Sequence, residues 1–128
     1  MIVLTDQQKK YLITVYLLGQ SGQRVRTTDI ADKLHVSKAS AVKMCGKLLD
    51  EGLISKEPYR QIVLTSKGIA EANGLFTPCI ILQDHFAKRV GLTPDKAGEV
   101  SMLITSGIDE QTLDKIVSFV LDQESSKP

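Results

Sequence analysis

Three residues, His35-Val36-Ser37, stand between two segments of helical periodicity, and so short a joint admits few packings. Upstream, Ile30, Ala31 and Leu34 fall at helical spacing, with Thr28 placed to cap their helix. Downstream, Ser37 is placed to cap a helix from about Lys38 to Glu51, which Gly52 stops. Two β-prone runs follow, Leu53-Ile54-Ser55-Lys56 and Gln61-Ile62-Val63-Leu64-Thr65. They flank the polar, proline-containing turn Glu57-Pro58-Tyr59-Arg60 and predict a hairpin. Ahead of all this, Thr5-x-x-Gln8 is a capping box. It predicts a helix from about Asp6 to Leu18, ended by Gly19 and Gly22.

Helix, helix, short turn, helix, hairpin is the order of a winged helix-turn-helix. The predicted fold is therefore mostly α with a small β-hairpin wing, followed by further helices. Thr65 or Ser66 caps a fourth helix that should reach about Val90, and Pro78 lies inside it, four residues after Gly74. An internal proline loses its N–H bond and crowds the carbonyl four residues back, so a kink or break is expected there. That kink or break would let the two halves rotate, an idea that a straight, continuous helix would refute. Thr93-Pro94 opens a fifth helix that Gly107 closes. Asp109 caps a sixth, with Leu113, Ile116, Val117 and Val120 in one stripe. This divides the chain into a DNA-binding winged helix over 1–70, a helical domain over 71–123 and a tail over 124–128.

A chain of 128 residues with 42% apolar and 24% charged residues can bury a core without disulfides. Cys45 and Cys79 stand in no metal or redox spacing and read as reduced, which fits a cytoplasmic protein. Lys9-Lys10 followed by the apolar Tyr11–Leu18 imitates a leader peptide, but no small-residue cleavage site follows. No run is long and apolar enough for a membrane span, so no membrane partner is expected. There is no Gly-rich phosphate loop, nucleophile elbow or HExxH, and the pattern does not suggest an enzyme. The net charge of +1 hides an asymmetry. Residues 1–70 hold 11 basic and 6 acidic groups, net +5, whereas 71–128 hold 5 and 9, net −4. A basic half suits a polyanion.

The third helix shows where that polyanion would sit. With Ser40 at zero and ~100° per residue, Ala41, Cys45, Leu48, Leu49 and Val42 span ~80° to ~200° and form the predicted core face. Lys43 and Lys47 fall at ~300° and ~340°, beside Ser40 on the opposite face. Hydroxyl and ammonium groups suit phosphates and base edges. Ser37, Lys38, Ala39 and Ser40 form the end expected nearest the bases, while Thr27, Thr28, Lys43, Lys47, Tyr59 and Arg60 are expected to hold phosphates.

Tyr11–Leu18, Arg24–Ala31, Val36–Val42, Lys47–Ile54 and Tyr59–Gly68 resemble the diphtheria-toxin repressor / manganese transport regulator family. The resemblance is specific over residues 8–70 and looser, but in register, to about residue 121. It implies iron- or manganese-dependent repressors that bind palindromic operators as homodimers. The helices after the wing would form the dimerisation and metal-sensing domain, and the length suggests the short, two-domain type. The dimer interface would use the sixth helix, the apolar faces of the fourth and fifth, and part of the first.

Carried over by position, the family's ligand places in the first helix hold Lys10 and Ile13. Its fourth-helix His and Glu places hold Cys79 and Gln83, and its fifth-helix places hold Met102, Thr105 and Ser106. Mn²⁺ and Fe²⁺ want carboxylate and imidazole. Neither remains, and Lys10 brings a positive charge. Asp84, His85, Asp95 and Glu99 lie nearby, with His85 read as a surface or packing residue. The expectation is a homodimeric DNA-binding regulator, a repressor of double-stranded operator sites, with no cofactor. The alternatives are a metal-responsive repressor using a non-standard site for Mn²⁺ or Fe²⁺, or a winged helix used for protein interaction.

Overall fold

A computed structural model describes residues 3–20, 22 and 24–125. In order they form α1 (Asp6–Gln20), α2 (Thr27–Leu34), α3 (Lys38–Asp50), β1 (Ile54–Glu57), a 3-10 turn (Pro58–Arg60) and β2 (Gln61–Leu64). Then come α4 (Ser66–His85), a π turn (Phe86–Val90), α5 (Pro94–Gly107) and α6 (Glu110–Ser125). The chain divides into two compact units, residues 1–73 and 74–128.

In the first unit α1 packs on α2, α3 and β2, and α3 packs on α2 and β1. Leu12, Val15, Val25, Ile30, Ala31, Ala41, Cys45, Leu48, Leu53, Ile54 and Ile62 are buried there. The strands pair antiparallel, Ile54 opposite Leu64 and Glu57 opposite Gln61, so the hairpin is the expected wing. The capping box is present: Thr5 N–H donates to Gln8 Oε1 at 2.9 Å, and Gln8 N–H to Thr5 Oγ1 at 3.1 Å. Ser37 caps α3 through Ser40 N–H at 3.0 Å, and Gly52, at φ +74°, turns the chain out of it.

The start of α4 is clamped onto that turn. Thr65 N–H donates to Leu53 O at 3.1 Å and Thr65 Oγ1 to Gly52 O at 2.6 Å. Gly68 N–H donates back to Thr65 Oγ1 at 3.0 Å, and Lys67 Nζ to Glu51 O at 2.9 Å. Gln8 Nε2 adds a bond to Glu51 Oε2 at 2.7 Å. The last turn of α3 is thus held from both α1 and α4.

In the second unit Leu82, Leu113 and Val120 form a core with Ile81, Phe86, Ile104, Ile108 and Val117 around it. Thr93 caps α5 through Lys96 N–H at 3.3 Å with Pro94 in the first turn, as expected. Asp109 caps α6 through Thr112 N–H at 2.9 Å. The two bonds from Thr112 hold the Asp109 carboxyl below the usual carboxylate range.

Five expectations are corrected. The N-cap of α2 is Arg26 rather than Thr28, because Asp29 Oδ2 reaches back to Arg26 N–H at 2.9 Å and starts the helix two residues early. α1 continues through Gly19 to Gln20, since a single helical glycine costs only about 1 kcal/mol; Gly22, at φ +78°, follows it. α4 runs unbroken through Pro78, so the break expected at Gly74/Pro78 is absent. A proline there removes one ladder bond, the N–H that would donate to the Gly74 carbonyl. α6 continues past Gln123 to Ser125; of the expected tail, residues 126–128 lie outside the described residues. Finally, Val42 and Leu49 are exposed, because α2 and β1 cover only the narrower stripe of Ala41, Cys45 and Leu48.

Candidate nucleic-acid interface

The exposed side of α3 carries most of the groups expected there. Lys38, Ala39, Ser40, Lys43 and Lys47 are all exposed. Ser37 and Ser40 hydrogen-bond through their hydroxyls at 2.9 Å, which fixes both at the N-terminal end of the helix. That end concentrates unpaired N–H groups and the positive pole of the helix dipole, both favourable to phosphate. Among the described residues, neither Lys43 nor Lys47 is in a side-chain ion pair. Two ammonium groups one turn apart therefore face solvent.

The first turn of α2 contributes less than expected. Thr28 is half-buried, and Thr27 turns toward the Cys45 thiol. Burial pushes the Cys45 thiol up, with Lys56 and the Thr27 hydroxyl pulling the other way. Cys45 is a buried core residue.

The wing presents a second cationic cluster. Tyr59, 74% exposed, and Arg60 occupy the tip with φ of +63° and +62°. Two successive left-handed residues without glycine cost roughly 1–3 kcal/mol each, and such strain collects where a surface has a task. The Arg24 guanidinium lies 4.9 Å over the Tyr59 ring, a cation–π contact that braces the tip. Arg24 arrives there because Ile62 N–H donates to Val25 O at 2.7 Å, pairing the segment before α2 with β2. Spacing carries no sign of this tertiary contact, and sequence reasoning missed Arg24. Lys56, Arg60 and the neighbouring Arg24 outnumber Glu57 and leave the wing net basic.

The places that the resemblance assigns to a metal look different. Ile13 is fully buried and apolar on α1, where the Thr14 hydroxyl donates to the Lys10 carbonyl at 2.7 Å. In the second unit Cys79, Thr105 and Ser106 are buried. Burial pushes the Cys79 thiol up, against a smaller opposite effect of the Thr105 hydroxyl. The Ser106 hydroxyl donates to the Met102 carbonyl at 2.7 Å. Among the described residues no group of three or more His, Cys, Asp or Glu is placed to hold a metal ion. A neutral thiol, a thioether, an amide and two alcohols do not suit Mn²⁺ or Fe²⁺. His85 Nδ1 lies 3.7 Å from Glu124 Oε1, and the ring is 5.9 Å, edge-on, from Phe86.

Comparisons with known proteins bear on both surfaces. Residues 3–62 match the family described as iron dependent repressor, N-terminal DNA binding domain. An uncharacterised HTH-type transcriptional regulator of Methanocaldococcus jannaschii is 27% identical over 118 residues, 91% of this chain and 94% of that protein. The HTH-type transcriptional regulator MntR of Bacillus velezensis is 29% identical over 126 residues, 96% of this chain and 88% of MntR. Among solved structures, T. acidophilum IdeR superposes with a TM-score of 0.77 over 98% of this chain at 19% identity. The manganese regulator SloR does so with a TM-score of 0.66 over 92% at 23% identity. The chain spans 56% and 55% of those two, which speak for the fold.

Proposed function

Because the chain belongs to the iron-dependent repressor family of HTH-type transcriptional regulators, we propose that it is a homodimeric repressor that binds operator DNA without manganese or iron control. The observation that carries the DNA reading is the basic, hydroxyl-bearing face of α3 beside a braced basic wing. Ser37, Lys38, Ala39 and Ser40 lie nearest the bases of one half-site. Lys43, Lys47, Tyr59 and Arg60, with Thr27 and Thr28 at the margin, face phosphates. Residues 1–70 serve DNA binding and 71–123 serve dimerisation. Ile80, Leu103, Ile116 and Phe119 are exposed apolar residues of α4, α5 and α6, which supports a self-association face in the second unit. Among the described residues no helix is long and apolar enough to cross a membrane, and a DNA-binding role fits the cytoplasm.

The metal reading rests on chemistry. The residues at the family's ligand places do not fit Mn²⁺ or Fe²⁺, so no regulatory step runs through such an ion here. An effector of another kind, or constitutive repression, remains for this chain.

DNA binding is tested by titrating the purified protein onto a palindromic duplex selected from a random pool, at several salt concentrations. Sedimentation should show a dimer. The logarithm of the affinity should fall linearly with that of salt, with a slope of several units. A weak association indifferent to salt would contradict the reading.

A further inference from the structure

The pattern of α3 places Val42 at the edge of the core, yet its side chain is 55% exposed. An isolated exposed valine is ordinary on a protein surface. The neighbours of this one make it informative. Ala39, three residues before it, is exposed on the same side of the helix, and four residues after it comes Gly46. A Cβ built on Gly46 would meet nothing within 4 Å, so the helix surface there is bare backbone open to solvent. Ala39, Val42 and Gly46 therefore make a narrow apolar strip. Lys43, exposed and next in sequence, flanks it, and Lys38 and Lys47 stand at its two ends.

A strip of methyl groups bordered by ammonium groups has a specific chemical complement. The lysines match a phosphate backbone. The methyls match the one apolar group that B-DNA shows in its major groove, the C5-methyl of thymine. A protein partner would need an apolar patch ringed by acidic residues, and the wing beside α3 adds further cations, which favours DNA. The bare backbone at Gly46 lets the helix approach the groove closely.

We infer that Val42 is a specificity residue that packs against a thymine methyl in each operator half-site. This rests on the DNA-binding reading above. It assigns to Val42 the reading of a methyl group, which hydroxyls and ammonium groups cannot perform.

The test uses the intact protein and a selected operator duplex in which each thymine in turn is replaced by uracil, deleting only its methyl group. One thymine per half-site should prove sensitive, with affinity falling about fourfold for each methyl and about fifteenfold for the symmetric pair. In Val42→Ala the ratio between thymine and uracil duplexes should drop to about one at that position. The thermal unfolding curve of the variant reports that it is folded, as an exposed site predicts. A sensitive thymine whose ratio persists in Val42→Ala would overturn the inference, because another residue reads the methyl. So would a wild-type protein that binds every uracil duplex as well as its parent, or a selected operator without thymine. Loss of salt-dependent binding to any duplex would instead sink the DNA reading itself, and the inference with it.

Discussion

Gly68→Ala is expected to destabilise the protein by about 3 kcal/mol or more and to lower its Tm by roughly 15 °C. A Cβ at residue 68 would fall far inside contact distance of the Leu53 carbonyl oxygen, 3.0 Å from the carbonyl carbon and 3.2 Å from Leu64 Cδ2. The first of these neighbours is backbone, and it is already fixed by the Thr65 N–H bond to the same oxygen. Relief would require the first turn of α4 to lift away. That would break the bonds of Thr65 to Gly52 and of Lys67 to Glu51. The end of α3 would lose its clamp, so DNA affinity should fall along with stability. Gly46→Ala is the control: it too adds a methyl to a helical glycine, but into open space. It should raise stability by up to about 1 kcal/mol through helix propensity alone. Denaturant unfolding of the three proteins checks both values, and an unchanged midpoint for Gly68→Ala would contradict the close approach.

The double variant Lys43→Ala/Lys47→Ala should bind the operator on the order of a hundredfold more weakly at 0.1 M salt, with its stability intact. Both lysines are exposed and, among the described residues, outside any side-chain ion pair, so the fold does not depend on their charges. Each ammonium that neutralises a phosphate releases a counterion, and the proposed dimer would present four such groups. The salt slope should therefore shrink by about four units. An equal loss for operator and random duplex marks these as phosphate contacts, whereas a loss confined to the operator would mean that they read bases. Affinity unchanged across salt would show that this face of α3 does not meet DNA.

Much of this architecture could be read from local chemistry. A cap is a contract between residues three apart, so Ser37, Thr93 and Asp109 were legible with their helices. The hairpin was legible because proline interrupts two β-prone runs. What depended on tertiary neighbours was not. Helical spacing assigned Val42 to the core, but burial depends on what packs alongside, and α2 and β1 leave that flank uncovered. Pro78 carried a breaking signal that α4 absorbs at the cost of a single bond. Gly68 gave no signal at all: nothing in Thr65-Ser66-Lys67-Gly68 announces a carbonyl twelve residues upstream of Thr65 pressing on the helix. Arg24 was silent for the same reason, since its partner Tyr59 is reached only through the pairing of Val25 with Ile62.

One comparison tests the proposed operator binding and its proposed independence of manganese together. Operator affinity should be measured with saturating Mn²⁺ and again with a chelator, on the same purified protein and at one salt concentration. If Ile13, Cys79, Gln83, Met102, Thr105 and Ser106 bind no such ion, the two dissociation constants should agree within about a factor of two, a difference of only ~0.4 kcal/mol. Tight binding in Mn²⁺ and its collapse in chelator would contradict that, and would mean that the ion finds carboxylates or imidazoles outside the family's places.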